Sequence, residues 1–383
     1  MNRLQLLKII KSLITIFIIT MFIFACSQSR EISNHKQYLS INDKADDINS
    51  NYNIDYKYYD IFDIAPAKII IPKNQTNSQS LSVLVNDGNG NLIVFDGGRV
   101  EDADYLCDII KDNGGNVKTW FITHIHDDHI GALYKILSDK RIDIVIERLY
   151  YDFASFDWYY SKMGNDAGIY YLFENAIKEY NSYFENSKNK IEIIEINDKS
   201  SDYLWTYPIN FYSNDEKKYI DSVNCNMYVD VLNRHFELDQ DPINNTSIVF
   251  VVQLSGKKIL ILGDLGYDGG TLLLNNSFKF KGDAFSDNSS FYNENHYIRY
   301  GHGNIGMPWK SFDIVVLSHH GQNGIDPELY KKFNPKVIVW PTSKDIYENT
   351  HGRYYTDDTK KALSEIDSIE YQIKSYEETA VIR

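Results

Sequence analysis

The chain has 383 residues, 39 of them basic and 53 acidic, which gives a formal net charge of −14 at pH 7. An acidic surface repels polyanions on average, which argues against binding of long nucleic acid, although a short nucleotide needs only local positive charge. The cysteines Cys26, Cys107 and Cys225 lie far apart in unrelated surroundings, which excludes a disulfide framework.

The N-terminal segment, residues 1–26, has the layout of a bacterial lipoprotein signal peptide. Three basic residues precede an uncharged apolar stretch, Leu13–Ala25, which is too short to span a membrane comfortably. The stretch ends in Ile23-Phe24-Ala25-Cys26, which resembles a lipobox, so we expect Cys26 to carry a lipid. Phe24 is unusual there, and an uncleaved anchor is the alternative. Either form predicts an extracytoplasmic, membrane-anchored protein.

The rest of the chain divides into a tether and a folded part. Residues 27–55 are polar and lack sustained periodicity, which predicts a flexible tether. Residues 56–383 are expected to form one domain, because the strands that carry one set of candidate site residues are spread from Asp96 to His319. Insertions are expected near residues 150–190 and 275–310. The first holds an aromatic-rich stretch, Tyr150–Phe184, which we interpret either as a lid or binding wall or as aromatic packing.

Apolar runs typical of strands occur throughout the folded part, and amphipathic runs typical of helices lie between several of them. Strands are predicted at Ala67–Ile71, Leu81–Val85, Leu92–Phe95, Lys118–Thr123, Ile142–Ile146, Ile191–Ile196, Ile248–Leu254, Lys258–Leu262, Asp313–Ser318 and Lys336–Trp340. Helices are predicted at Asp102–Lys111, Ile130–Ser138, Tyr170–Tyr183, Pro327–Phe333 and Thr356–Ile366. Strands that first pair as hairpins and then alternate with helices favour an α/β fold with two stacked mixed β-sheets and external helices.

The most informative motif is the run His124-Ile125-His126-Asp127-Asp128-His129, directly after the strand Lys118–Thr123. Side chains alternate along an extended segment, so His124 and His126 point the same way, and the following turn can direct Asp128 and His129 to a second, adjacent position. Imidazoles and a carboxylate with no thiolate nearby suit zinc better than calcium or an iron-sulfur cluster. The motif therefore predicts a metal site with room for two ions.

The run from Thr123 to Gly131 resembles the signature of the metallo-β-lactamase superfamily. The upstream run Leu92–Gly98 resembles the strand and Asp-Gly-Gly turn of that family, and Ile259–Asp264 resembles its strand with a carboxylate at the end. The resemblance implies a four-layer αβ/βα sandwich, in which Asp264 bridges the metals. It also implies that Asp96 hydrogen-bonds the metal loop without touching a metal.

A further strand, Asp313–Ser318, leads into His319-His320-Gly321. The resemblance makes His319 the ligand of the second metal, so the expected metal ligands are His124, His126, Asp128, His129, Asp264 and His319. His320 is expected to be catalytic through a hydrogen bond to developing negative charge, or to be the ligand in place of His319.

One ligand of the family pattern is missing. Most members take a third histidine for the first metal from a segment between the motif and the Asp264 strand, and His235 is the only histidine there. We treat His235 as a possible ligand; otherwise Asn245, a water or the substrate completes that site. If Asn245 is not itself a ligand, we expect it to lie behind the ligands, as Asp96 does. His296, His302 and His351 are expected to be structural or exposed.

Within the superfamily, Asn244–Phe250 before Gly263-Asp264, and His319-His320-Gly321 after it, are similar to the ComEC-type branch. The resemblance implies a hydrolase with two zinc ions, or manganese or iron, that share an activated hydroxide oriented by the catalytic residue Asp128. A phosphodiester, small or in a short polymer, is the expected substrate. A carboxylic ester, lactone or amide is the alternative, and a non-catalytic metal-binding surface lipoprotein is another. The oligomeric state is left open.

Overall fold

The computed structural model describes residues 52–194, 206–207, 212–213, 218–219, 227–232, 235–274 and 311–383. The predicted signal peptide with Cys26, nearly all of the predicted tether, the second insertion, His296 and His302 lie outside these residues. None of the helices within the described ranges has the length and apolar character needed to cross a membrane.

The strands of the described residues form two large sheets and a short hairpin. In chain order, the strands of the first half are β1 (Tyr56–Tyr59), β2 (Lys68–Ile71), β3 (Val83–Asn86), β4 (Leu92–Phe95), β5 (Asn116–Phe121), β6 (Val145–Ile146), β7 (Arg148–Tyr150) and, after the first insertion, β8 (Glu192–Ile194). The later strands are β9 (Thr206–Tyr207), β10 (Tyr212–Ser213), β11 (Lys218–Tyr219), β12 (Met227–Val231), β13 (Phe250–Leu254), β14 (Lys257–Ile261), β15 (Ile314–Val316), β16 (Val337–Trp340), β17 (Tyr371–Lys374) and β18 (Thr379–Ile382).

Both large sheets are mixed. The first has the order β1-β18-β2-β3-β4-β5-β7-β8, with β6 also paired to β5, and the second has the order β17-β16-β15-β14-β13-β12-β9. The pairs β4–β5, β14–β15 and β15–β16 are parallel, whereas β13 runs antiparallel to β14. Parallel neighbours place their carboxyl ends at one edge of a sheet.

The helices lie outside the sheets. They are α1 (Ala103–Asp112), α2 (Asp127–Ser138), α3 (Phe156–Met163), α4 (Gly168–Tyr183), α5 (Tyr267–Leu274), α6 (Glu328–Phe333), α7 (Lys344–Glu348) and α8 (Thr356–Ser364), and short 3₁₀ turns lie at Val100–Asp102, Gly164–Ala167, Asn244–Thr246 and Ser318–Gly321. The helix α1 buries Leu106, Ile109 and Ile110, whose spacing places them on one face. At α3, the Ser155 side chain accepts a hydrogen bond from the Trp158 amide and so caps the first turn.

Successive side chains of a strand point to opposite faces of the sheet and pack into different apolar cores, of which the described residues form three. In β4, Leu92 and Val94 belong to the core between the first sheet and its helices, whereas Ile93 and Phe95 belong to the core between the two sheets. In β15, Ile314 and Val316 face that same central core, and Val315 faces the core under α6 and α8. Strands buried on both faces are continuous apolar runs, which explains why they could be recognised. The predicted four-layer sandwich with two mixed sheets is confirmed.

Candidate metal centre

The loop between β5 and α2 presents four of the predicted ligands. His124 and His126 come before the helix, with His126 extended (φ −64°, ψ 152°) as its N-cap residue, while Asp128 and His129 occupy the first helical turn. The Arg99 guanidinium holds this turn, because its Nη1 lies 2.6 Å from Asp127 and its Nη2 lies 3.9 Å from Asp128. An acidic first turn also suits the positive end of the helix dipole.

Asp264 follows β14 through a turn that only glycine fits. Gly263 has φ +56°, and a Cβ there would lie 2.8 Å from Thr123 Cβ, closer than two carbon atoms can approach. The Asp264 amide then donates to Ser247 Oγ at 2.9 Å, which fixes the start of the loop. This close packing brings the carboxylate from the second sheet against the motif loop of the first.

The pair His319-His320 follows β15 in an unusual conformation. Both residues have positive φ, 45° and 58°, a region that non-glycine residues enter at a cost of about 1–2 kcal/mol each. The turn is held by the His319 amide, which donates to Gly263 O at 3.0 Å, and by Gly321, whose missing side chain leaves room for the Trp340 ring. Strain of this kind is concentrated at functional sites.

Two adjacent groups of side chains converge as metal ligands would. One contains His124, His126 and Asp264, and the other contains Asp128, His129, Asp264 and His320, with the ligand atoms of each group within 4.8 Å of one another. His124 Nε2 lies 3.0 Å from His126 Nδ1, and His320 Nε2 lies 3.0 Å from Asp128 Oδ2. His129 Nε2 lies 3.1 Å from Asp264 Oδ1. Asp264 is shared by both groups, as a bridging carboxylate would be.

The donor atoms fit a pair of divalent cations. Asp128 Oδ2, His129 Nε2, Asp264 Oδ1 and His320 Nε2 are buried, and none makes a well-directed hydrogen bond although they face one another. Buried polar atoms are normally paired, and a cation would be the common partner of these converging atoms. Nitrogen and carboxylate ligands suit zinc, and manganese or iron can also use them.

Burial and neighbouring charge set the protonation of these groups. Burial alone would lower the pKa of His320, but Asp264 and Asp128 outweigh it and raise that pKa to about 9. Burial likewise disfavours charge on His129, yet Asp264 and Asp96 hold the pKa of that ring well above its usual range. Burial lowers the pKa of His124 well below its usual range. Protons on His129 and His320 therefore supply the positive charge that a metal would bring.

The structure brings together most of the predicted ligands, with one difference. His320, and not His319, belongs to the group with Asp128 and His129. The left-handed turn directs the His320 ring to that group, while His319 Nε2 lies 3.8 Å from Asp264 Oδ2, at a half-buried position. The sequence alternative in which His320 is the ligand fits this geometry better.

The candidates for the missing ligand lie elsewhere. His235 Nδ1 is 3.1 Å from the Asp152 carbonyl, and within the described ranges His235 is in neither metal-ligating group. Asn245 Oδ1 accepts hydrogen bonds from the Gly266 and Gly269 amides at 3.0 Å, so this side chain orders the loop after Asp264. In this structure, neither side chain completes the group of His124, His126 and Asp264.

Asp96 lies behind the ligands, as the resemblance implied. Its carboxylate accepts hydrogen bonds from the Thr123 amide and hydroxyl at 2.8 Å, and His129 Nδ1 is also at 2.8 Å. These contacts orient the His129 ring so that Nε2 faces the group. Sequence analysis did not identify Arg99, which holds the first turn of α2, because a single arginine carries no spacing signal.

The first insertion packs beside the site. Tyr159 is fully buried, and its hydroxyl donates to Thr246 Oγ1 at 3.3 Å, next to the Asn244-Asn245 turn. Lys162 Nζ lies 2.6 Å from Asp239 Oδ1, which adds a contact to the same region. The aromatic packing interpretation therefore describes the inner face of the insertion, while a lid remains a prediction.

A protein-family model agrees with this fold, and solved structures of low identity resemble parts of the chain. A protein-family model described as the metallo-beta-lactamase superfamily matches residues 76–305. The metallo-beta-lactamase fold protein YhfI from Bacillus subtilis is 10% identical with a TM-score of 0.41, and the match covers 82% of this chain and 98% of that one. Human tRNase Z, short form, is 14% identical with a TM-score of 0.34, covering 71% and 90%. A diphosphatase from the PhnP family is 11% identical with a TM-score of 0.34, covering 71% and 84%. No curated protein matches.

Proposed function

Because the chain belongs to the metallo-β-lactamase superfamily, we propose that it is an extracytoplasmic hydrolase that uses two zinc ions to cleave a phosphodiester. The observation that carries this proposal is the pair of adjacent ligand groups that share Asp264. When bound, two such ions lower the pKa of a water so that it can attack, and they stabilise the charge that develops as the bond breaks.

The chain's own residues hold and orient this centre. Asp264 spans both groups, and its buried carboxylate stays ionised because the rings of His129, His320 and His319 outweigh the effect of burial and keep its pKa well below the usual range. Asp128 is buried too, but the His320 ring, whose Nε2 lies 3.0 Å from Oδ2, and the charge of His129 keep the pKa of its carboxyl below its usual range. Both carboxylates therefore stay ionised, which suits metal ligands and hydrogen-bond acceptors that would orient the attacking water.

The preference for a phosphodiester is supported by the similarity of Asn244–Phe250 and His319-His320-Gly321 to the ComEC-type pattern. The net charge of −14 favours a small substrate or a short polymer over long nucleic acid.

Purified, zinc-loaded protein tested on a bis-aryl phosphate, an aryl ester and a chromogenic β-lactam will check the reaction. We expect turnover of the phosphodiester, and a loss of about 10²-fold or more in kcat for Asp128→Asn, because the second group then loses a charged ligand. Asp367→Asn, at an exposed carboxylate, is the matched control. Turnover of the carbonyl substrates alone would refute the phosphodiester, and zinc content below about one ion per chain would refute the metal centre.

A further inference from the structure

Arg99 brings a permanent positive charge to the candidate metal centre. Its Nη2 lies 3.9 Å from Oδ2 of the candidate ligand Asp128, and no other arginine or lysine within the described ranges forms an ion pair with a candidate ligand. An arginine side chain is not deprotonated in proteins, so this charge persists at any pH that the fold tolerates. In a chain with a net charge of −14, an anionic substrate needs local positive charge of this kind.

The direction of this guanidinium is fixed by its neighbours. Its Nε donates to the Gln79 carbonyl at 2.9 Å, and its Nη1 donates to Asp127 Oδ2 at 2.6 Å. The backbone is held as well, because the Arg99 amide donates to Asp102 Oδ2 at 2.8 Å, and a Cβ at Gly131 of α2 would lie only 2.9 Å from the Arg99 Cα. A guanidinium that is already oriented loses little conformational freedom when it binds a further partner.

The Nη2 atom is the part of the guanidinium that these contacts leave available. It carries two hydrogens and donates neither of them to another residue in the part of the chain that the structure describes. The 3.9 Å between Nη2 and Asp128 Oδ2 exceeds hydrogen-bond distance. Nη2 can therefore donate to an oxygen atom of a bound molecule without giving up a contact within the protein.

Arg99 lies at the rim of the centre and not behind it. The Arg99 side chain is 21% exposed and that of Asp127 is 49% exposed, whereas that of Asp128 is only 4% exposed. His126, directly before Asp127, is half-buried, while His129 is buried. This side of the centre is therefore accessible from solvent, and a substrate that approaches His126 can also reach the guanidinium.

We propose that Arg99 Nη2 binds a non-bridging oxygen of the substrate's phosphoryl group, next to the candidate metal group that contains Asp128. This inference rests on the proposed function. Hydrogen bonds from a guanidinium to phosphate oxygens are charge-assisted and directional, so one arginine can both attract and orient the group that reacts. Asp127 is a positioning residue, because its contact with Nη1 directs Nη2 toward the centre.

Binding of inorganic phosphate to the zinc-loaded protein, measured by calorimetry together with zinc content, tests this contact. Arg99→Gln keeps a polar side chain but removes the charge and the Nη2 donor. We expect this variant to hold as much zinc as the unmodified protein, and its phosphate Kd to rise about tenfold or more. Arg383→Gln is the matched control, because Arg383 Nε also lies 2.6 Å from an aspartate, Asp60, but outside both metal groups. It should bind phosphate normally.

Asp127→Asn separates anion binding from a role of Arg99 in holding the first turn of α2. It leaves the guanidinium in place and removes a negative charge beside it, so the phosphate Kd should not rise and should fall by up to about fivefold. A Kd that rises in Asp127→Asn as it does in Arg99→Gln would overturn the proposal, because Arg99 would then act only through the turn. This variant also decides the question if Arg99→Gln does not fold.

Two results for Arg99→Gln would likewise overturn the proposal: an unchanged phosphate Kd, or a loss of zinc, which would show that Arg99 acts by holding the ligands. The turnover assay decides the proposed function separately. Phosphate binding that depends on Arg99, in a protein that cleaves only the carbonyl substrates, would support the anion site and refute the phosphodiester.

Discussion

At the scale of single residues, orientation decides between neighbouring histidines. His319 and His320 follow the same strand, and spacing along the chain cannot distinguish them. The two positive φ values direct His320 into the group with Asp128 and leave His319 at the edge. The motif from His124 to His129 could be recognised because its four ligands lie within six residues. The roles of His319 and His320, in contrast, depend on a turn that tertiary contacts hold.

Metal binding should release protons from the rings of His129 and His320. The pKa of His320 is raised to about 9, and that of His129 lies well above its usual range, so both rings carry protons at neutral pH before a metal enters. A cation must displace these protons, and zinc affinity should therefore rise with pH up to about pH 9. Calorimetry in buffers of different ionisation enthalpy should detect more than one proton released per chain near pH 7.

Zinc affinity that does not change between about pH 6 and about pH 9 would contradict the assignment of protons to these rings. Asp367→Asn, remote from the centre, should reproduce the pH dependence of the unmodified protein. His320→Ala should release fewer protons, because one of the two rings that carry them is gone.

At the scale of elements, the ends of buried strands position the chemistry. Site residues follow the carboxyl ends of β5, β14 and β15. Both boundaries of each of these strands were predicted within two residues of their observed positions. The short strands β4 and β16 were nevertheless recognisable, because both of their faces are buried and every residue in them is apolar. The strands β1, β17 and β18 were not predicted, since a four-residue strand at or near a sheet edge has little pattern of its own and depends on its partners.

The turn after β14 should be sensitive to any side chain added at Gly263. Gly263→Ala should destabilise the protein by about 2–4 kcal/mol, because the new methyl group meets Thr123 and the residue stays at positive φ. Gly352→Ala is the matched control: φ is +60°, and nothing lies within 4 Å of the added Cβ. It should cost only about 1–2 kcal/mol. Urea unfolding of the metal-free variants measures both, and equal losses would show that packing against Thr123 does not matter.

At the scale of the whole molecule, three apolar cores hold four layers together, and the metal groups join the two sheets. His124 and His129 come from the first sheet's loop, whereas Asp264 and His320 follow strands of the second. The layer order could be predicted from alternating strands and helices. A residue in place of the missing third histidine could not be predicted from the sequence, because a single side chain on a loop has no periodic signal. Among the described residues, the first group contains only His124, His126 and Asp264.

Membrane attachment is a prediction about the entire chain. If Cys26 is lipidated, as its resemblance to a lipobox predicts, the protein should fractionate with membranes when expressed in a bacterium. Cys26→Ser should abolish lipidation, so that the protein either is released in soluble form or keeps its signal peptide, with the site unaffected. Mass spectrometry of the mature N-terminus of the unmodified protein should detect the lipid. Cys107→Ser, at a buried thiol, is the control. An unmodified Cys26 with the signal still attached would favour the uncleaved anchor.

The position of β18 has a consequence for biosynthesis. Thr379–Ile382 lies between β1 and β2, pairing in parallel with one and antiparallel with the other. A nascent chain that has already exposed every candidate metal ligand still has a gap in its first sheet, so the ribosome must have released Thr379–Ile382 before that sheet can close. A stop codon placed directly before Thr379 should therefore yield a species that proteases remove, although every residue of the two candidate metal groups is still encoded.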